Sequence, residues 1–292
     1  MDTGHPPRPQ PHTRTGTRRS PRILSAMLLT AMAMALLLPA AASARRGGQD
    51  VHAWLLTSDG ELLNVQVDRN GTVRSRVNIS GLRAGESLVG IDIRPANGDL
   101  VAIGSSSQVY TVNVSTGRAT RVGAQFTPAL SGSNFGVDFN PTVDRIRVVS
   151  DTGQNLRINP DTGAALVDGT LAYLSGDRNA GRTPRVAAAA YTNSVAGATT
   201  TTLYDLDYGT DTLVKQTPAN DGTLSTTGSL GINFTGEVAF DIVVRPTGAG
   251  TSNLGVIAAS STLYGIDLAT GGLTLITTVD NEVIVGMALV VS

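Results

Sequence analysis

The sequence predicts an all-β fold: a β-propeller of four-stranded antiparallel blades, five in number, closed by pairing the C-terminal strand with the N-terminal blade. Three observations predict it. A strand followed by a tight turn recurs five times along the chain. A second short strand of G-x-D-x type stands ahead of most copies, and the chain ends on an orphan copy of that strand. Short alternating strands divided by glycine turns, with almost no helical periodicity after the first 44 residues, exclude α/β architectures.

The recurring unit reads Tyr110-Thr111-Val112-Asn113-Val114-Ser115-Thr116-Gly117 and again Leu156-Arg157-Ile158-Asn159-Pro160-Asp161-Thr162-Gly163. It returns as Tyr204-Asp205-Leu206-Asp207-Tyr208-Gly209-Thr210-Asp211 and Tyr264-Gly265-Ile266-Asp267-Leu268-Ala269-Thr270-Gly271, with a looser copy over residues 63–71. Alternation places every second side chain on one face of a strand, the Asn or Asp caps the turning backbone, and glycine supplies the positive φ. The turns end at 71, 117, 163, 211 and 271, so they are spaced 46, 46, 48 and 60 residues apart. Four strands in a period of that size describe a propeller blade.

The second element is Gly90-Ile91-Asp92-Ile93, Gly136-Val137-Asp138-Phe139, Ala188-Ala189-Ala190-Tyr191 and Ala239-Phe240-Asp241-Ile242. The first turn unit has none before it, and Gly286-Met287-Ala288-Leu289 near the C-terminus matches the missing piece. Pairing it with the first blade closes the ring, so that neither end of the ring of sheets is left open.

Residues 1–44 differ in kind. Arg18, Arg19 and Arg22 precede an apolar run over 23–38, and Ala42-Ser43-Ala44 follows Pro39. That order predicts a secretory signal peptide cleaved after Ala44. Thr17-Arg18-Arg19-Ser20 suggests twin-arginine export, but Pro21 and Arg22 stand where apolar residues belong. The expected organisation is a signal peptide over 1–44, a disordered lead-in over 45–50 and a single propeller domain over 51–292. The protein is expected to be secreted or otherwise extracytoplasmic, in a periplasm or outside the cell. The apolar stretch 284–291 is too short to span a bilayer, so no stable membrane insertion is expected after cleavage.

Cleavage removes five Arg and one Asp, leaving 17 basic and 22 acidic residues, a net charge of −5 against −1 for the whole chain. That balance predicts a monomer that does not bind nucleic acid. The absence of cysteine excludes disulfides, a thiol nucleophile and thiolate metal sites. His52 is the one histidine after residue 44, and no G-x-S-x-G elbow accompanies it, so neither a Ser-His-Asp triad nor catalytic zinc is supported.

Carboxylates and arginines remain. Asp92, Asp138 and Asp241 occupy one position of the second element, and in a propeller that strand lines the central channel. Three converging carboxylates suit Ca²⁺ or Mg²⁺, whereas repetition in several blades favours a structural role in which each buried carboxylate accepts hydrogen bonds. A denser polar stretch holds Asn140, Arg145, Arg147, Asn155 and Arg157, the candidates for recognising an anion or a sugar at one mouth of the channel. The same residues also suit blade-to-blade ion pairs. The longest loops, over 125–134, 168–185 and 217–233, are expected to rim that mouth.

Gly136-Val137-Asp138-Phe139-Asn140-Pro141, Asp144-Arg145-Ile146-Arg147-Val148-Val149-Ser150, Gly153-Gln154-Asn155-Leu156-Arg157-Ile158-Asn159 and Ala190-Tyr191-Thr192-Asn193 together resemble the bacterial exported proteins of the family called domain of unknown function 4394. Thr201-Thr202-Leu203-Tyr204 and Asn220-Asp221-Gly222-Thr223-Leu224 fit as well, and the resemblance covers nearly all of 51–292. It implies an exported, propeller-like domain and lends no catalytic residues. Ala219 departs from the pattern, where a second proline beside Pro218 is expected.

These readings predict a non-enzymatic binding or scaffold protein for an unknown small molecule or cell-surface or extracellular component, with no cofactor. The alternative is a lactonase-like, metal-assisted hydrolase with Ca²⁺ or Mg²⁺ held by Asp92, Asp138 and Asp241.

Overall fold

In the computed structural model, residues 50–68, 70–279 and 282–292 are described; the expected signal peptide and the lead-in up to residue 49 lie outside them. Blade 1 contains β1 (Val51–Thr57), β2 (Glu61–Gln66) and β3 (Val73–Asn78). Blade 2 contains β4 (Leu88–Ile93), β5 (Leu100–Gly104), β6 (Gln108–Val112) and β7 (Ala119–Val122), and blade 3 contains β8 (Phe135–Asn140), β9 (Arg145–Ser150), β10 (Asn155–Ile158) and β11 (Ala165–Val167). The short β12 (Ala172–Tyr173) joins blade 4, with β13 (Val186–Tyr191), β14 (Leu203–Asp207), β15 (Thr212–Gln216) and β16 (Thr223–Ser229). Blade 5 contains β17 (Val238–Thr247), β18 (Gly250–Ala259), β19 (Thr262–Ile266) and β20 (Leu273–Thr278). The last strand, β21 (Ile284–Val291), pairs antiparallel with β1, Leu289 opposite Ala53 and Met287 opposite Leu55, and completes blade 1. The five-bladed ring and its closure are as the repeat predicts.

Strand alternation builds the core. Leu55 and Leu63 face blade 5, against Val256 and Leu263, while their neighbours Leu56 and Leu62 face blade 2, against Ala102 and Tyr110. The same device repeats around the ring: Val101, Ile103 and Val109 meet Ile146, Val148 and Leu156; Val149 and Leu171 meet Leu203 and Val214; Leu206 and Leu213 meet Phe240 and Ile257. Five apolar seams thus fill five blade junctions, each fully buried leucine stabilising by about 1.5–3 kcal/mol. The low share of charged residues, 15%, fits a chain spent mainly on such seams.

Blade 4 corrects one detail of the repeat. Residues 204–211 lie on the second strand and its following turn, whereas the equivalent units elsewhere lie on the third. The true equivalent turn is the 3₁₀ turn Ala219–Asp221 closed by Gly222 at φ 70°. Packing identifies it. A Cβ on Gly117 would strike the Asn78 carbonyl at the end of blade 1, and one on Gly222 would strike the Gly169 and Thr170 carbonyls at the end of blade 3. Gly71, Gly163 and Gly271 face Thr277, Val122 and Gly228 of their preceding blades in the same way. The expected loop over 217–233 is therefore this turn followed by the outer strand β16. Asp211, with φ 51°, imitates the turn glycine in sequence but serves a different hairpin.

Candidate functional site

The inner strands β4, β8, β13, β17 and β21 surround the axis. Small residues two positions before the aspartate level let them approach closely: a Cβ on Gly136 would meet the backbone of Ala188 and Ala189, and one on Gly90 would meet Val137. At the next level Ile91, Val137, Ala189, Phe240 and Met287 fill the channel. Below them Asp92, Asp138 and Asp241 are buried, each offering a carboxylate oxygen within 4.8 Å of the others.

Backbone N–H groups account for most of these oxygens. Asp92 Oδ2 accepts from Phe139 N at 2.7 Å, Asp138 Oδ2 from Tyr191 N at 2.7 Å, and Asp241 Oδ2 from Leu289 N at 2.5 Å, each bond crossing to the next blade. At the two remaining junctions the preceding blade carries Ala288 or Ala190 in place of aspartate, and the N–H groups there turn to their own neighbour: Ile93 to Asp92 Oδ1 and Ile242 to Asp241 Oδ1. Three carboxyl groups thus satisfy the equivalent N–H of all five inner strands, as buried donors require. The sixth oxygen, Asp138 Oδ1, takes no backbone N–H, and Asp138 shares a side-chain hydrogen bond with Asp92.

That last bond needs a proton. Burial pushes all three carboxyls up; the charge of Asp241 adds to this at Asp92, and the charges of Asp92 and Asp241 add to it at Asp138. Asp92 and Asp138 lie well above the ordinary carboxylate range, and Asp241 is raised to about 7. The trio can latch blades and hold protons, and its spacing suits a divalent cation in their place.

The polar stretch of blade 3 divides in two. Arg147 is buried and donates to Asn155 Oδ1 at 2.6 Å, Asp168 Oδ2 at 2.6 Å, Asn220 Oδ1 at 2.8 Å and the Tyr191 hydroxyl at 3.2 Å. Arg157 grips the same Asp168 through two bonds of 2.7 and 2.8 Å, and Asn155 donates to the Gly169 and Ala219 carbonyls. Arg147 and Arg157 therefore converge on the Asp168 carboxylate at the junction of blades 3 and 4, and Asn155 braces Arg147 beside it. Asn140 and Arg145 stand at the β8–β9 turn, away from Asp168, with Asn140 in side-chain hydrogen-bond contact with Tyr191. Asn140 caps Thr142, and Arg145 donates to the Asp144 carbonyl at 2.8 Å. Asp144 itself pairs with Arg94 of blade 2.

A cavity of about 210 Å³ opens where the inner strands begin. Ser58, Ser87, Ser133, Asn134 and Glu237 give it polar walls, and Val89, Phe135, Val238 and Val285 floor it above the apolar plug. The loop over 125–134 contributes Ser133 and Asn134, held by Asp151, which accepts from Ser133 N at 3.0 Å and Asn134 Nδ2 at 3.0 Å. These wall residues were not among the sequence candidates. Their signal is positional: Ser87, Ser133 and Gly236 each stand five residues before an axial aspartate.

No curated protein matches the chain. Two solved structures align with most of it. A structural genomics protein of unknown function from Bacteroides thetaiotaomicron is 18% identical, with 78% of this chain and 58% of that one covered and a TM-score of 0.45. Myxococcus xanthus glutaminyl cyclase is 14% identical, with 79% and 83% covered and a TM-score of 0.41. The chain thus spans little more than half the length of the first of them. The family described as Domain of unknown function (DUF4394) matches residues 61–288, and the chain belongs to that family.

Proposed function

We propose that this protein is an exported, non-enzymatic binding propeller whose ligand is small, amphiphilic and either neutral or cationic. The mouth cavity carries the reading. Its volume of about 210 Å³ is below the roughly 300–1,000 Å³ of drug-sized sites, so the ligand is correspondingly small. Three serine hydroxyls and an amide suit hydroxyl or amine groups, and the floor suits a short apolar tail. Among the described residues Glu237 is the one charged lining residue, so an anion would meet a carboxylate with no described cation lining the cavity beside it.

Saturation-transfer NMR with hexylamine, 1-hexanol and hexanoate tests this, because the three share a tail and differ in head group. Hexylamine and hexanol are expected to bind, hexanoate is not, and Ser133→Trp should abolish binding by filling the mouth. Equal binding of hexanoate, or binding unchanged in Ser133→Trp, would overturn the reading.

A second reading, a Ca²⁺- or Mg²⁺-dependent hydrolase, is favoured by one observation: the convergence of Asp92, Asp138 and Asp241. Such a cation would polarise a carbonyl or activate water. It would have to compete with five backbone N–H groups for the trio's oxygens. Calorimetric titration of both ions into chelator-treated protein distinguishes the two readings, heat that disappears in Asp138→Asn supporting the hydrolase.

A further inference from the structure

We propose that Asn97, in the turn joining β4 and β5, is a self-modifying site that converts to aspartate and isoaspartate without an enzyme. The step is an attack by the backbone nitrogen of Gly98 on the side-chain amide carbon of Asn97. A bond forms between Gly98 N and Asn97 Cγ, and the bond from Cγ to Nδ2 breaks. Nδ2 leaves as ammonia, taking the proton that Gly98 N gives up. Water then opens the resulting ring at either carbonyl and leaves a carboxylate where the neutral amide stood.

Two conditions select this residue. The side chain must already be folded over the following peptide, and that peptide nitrogen must carry a hydrogen with no side chain crowding it. Among the described residues, Asn97, Asn113, Asn140 and Asn159 meet the first: each Oδ1 accepts the N–H two residues on, from Asp99 at 3.1 Å, Ser115 at 3.0 Å, Thr142 at 3.0 Å and Asp161 at 2.9 Å. The residues that follow them are Gly98, Val114, Pro141 and Pro160. Proline has no N–H and branched valine crowds its nitrogen, so of the four only Gly98 meets the second condition. The Asn97 amide is held from its other side as well, Nδ2 donating to Asp99 Oδ2 at 2.7 Å.

Asn70-Gly71 is the other Asn-Gly pair of the chain, and packing sets it apart. Gly71 is buried, and a Cβ there would strike the Thr277 side chain, so this peptide is pinned against blade 5. Asn97, Gly98 and Asp99 are exposed, and a Cβ on Gly98 would meet nothing within 4 Å. One bond must open first, from Gly98 N to the Arg94 carbonyl at 2.9 Å, and exposed turn bonds open at little cost in free energy. The product loses the amide bond to Asp99 and sets a second carboxylate beside it. Isoaspartate also runs the main chain through Cβ and lengthens the turn. Arg94 N closes that turn on the Asp99 carbonyl at 2.9 Å, while the Arg94 guanidinium pairs with Asp144 and Asp161 of blade 3, so the altered turn borders the junction of blades 2 and 3. The site is separate from the mouth cavity.

Peptide mapping by mass spectrometry tests the site, with the full chain aged in mildly alkaline buffer both folded and in urea, and aspartate and isoaspartate counted at Asn97 and Asn70. In the folded protein Asn97 should react at least about fivefold faster than Asn70, and in urea, where Gly71 is no longer pinned, the two rates should agree within about twofold. In urea, where strain in the folded turn plays no part, Gly98→Ala should slow Asn97 at least about tenfold and leave Asn70 unchanged. Asn97 reacting no faster than Asn70 in the folded protein, or at the wild-type rate in Gly98→Ala, would overturn the proposal. The same excess of Asn97 over Asn70 in urea would also overturn it, since the folded turn would then contribute nothing.

Discussion

The Asp241 carboxylate accepts the backbone N–H of Leu289, 48 residues further on, and so ties blade 5 to the strand that completes blade 1. The same carboxylate takes Ile242 N. Ring closure therefore rests on a side chain as well as on the β1–β21 ladder. Asp92 likewise serves two N–H groups, whereas Asp138 serves one.

That difference predicts a ranking. Asp241→Ala and Asp92→Ala should each cost about 2–4 kcal/mol, since two buried N–H groups lose their acceptor. Asp138→Ala should cost less, about 1–2 kcal/mol, because it strands one N–H and relieves a crowded proton-sharing pair. Urea unfolding of the three variants checks the order.

The pH dependence follows from the raised carboxyls. Asp241 is lifted from 3.8 to about 7 in the folded protein, chiefly by burial. A carboxyl raised on folding favours the folded state fully below its unfolded value, and that advantage is lost as pH rises through the folded one. Relative to Asp241→Asn, the wild-type protein should therefore lose stability between about pH 4 and pH 7. Tm measured across that range for both proteins checks the sign.

Gly222 and Gly60 separate crowding from backbone conformation. Both have positive φ, but only at Gly222 would a Cβ meet carbonyls of the neighbouring blade. Gly222→Ala should cost about 2–4 kcal/mol and Gly60→Ala about 1 kcal/mol, by chemical denaturation.

Arg147 and Arg145 make a further contrast two residues apart. Removing the buried Arg147 as Arg147→Met leaves Asn155, Asn220 and Tyr191 without their shared donor and should cost about 2–4 kcal/mol. Arg145→Ala touches only a local turn and should stay within about 0.5 kcal/mol in the same denaturation assay.

How much of this was legible before folding depends on distance along the chain. Blade number and closure were readable because alternation such as Leu55/Leu56 and turns such as Asn113 to Gly117 are local patterns. Blade 4 misled because Asp211 can adopt the positive φ of a turn glycine, while the evidence for Gly222 lies in blade 3, at Gly169 and Thr170. The axial aspartates stood out by repetition, but the bond from Asp241 to Leu289 exists only once the ring closes. The mouth serines carried no pattern of residue type, since single serines before strands are common, and only the assembled ring brings Ser58, Ser87 and Ser133 to one cavity.

In the proposed function, ligand binds at the mouth while the axial carboxyls latch the blades. Backbone ¹⁵N NMR during a hexylamine titration tests it most directly. The predicted shifts fall at Ser58, Ser87, Ser133 and Glu237 and leave Phe139, Tyr191 and Leu289, the partners of the axial aspartates, unmoved. Shifts confined to the axial partners, or no shifts at the mouth at saturating amine, would contradict it.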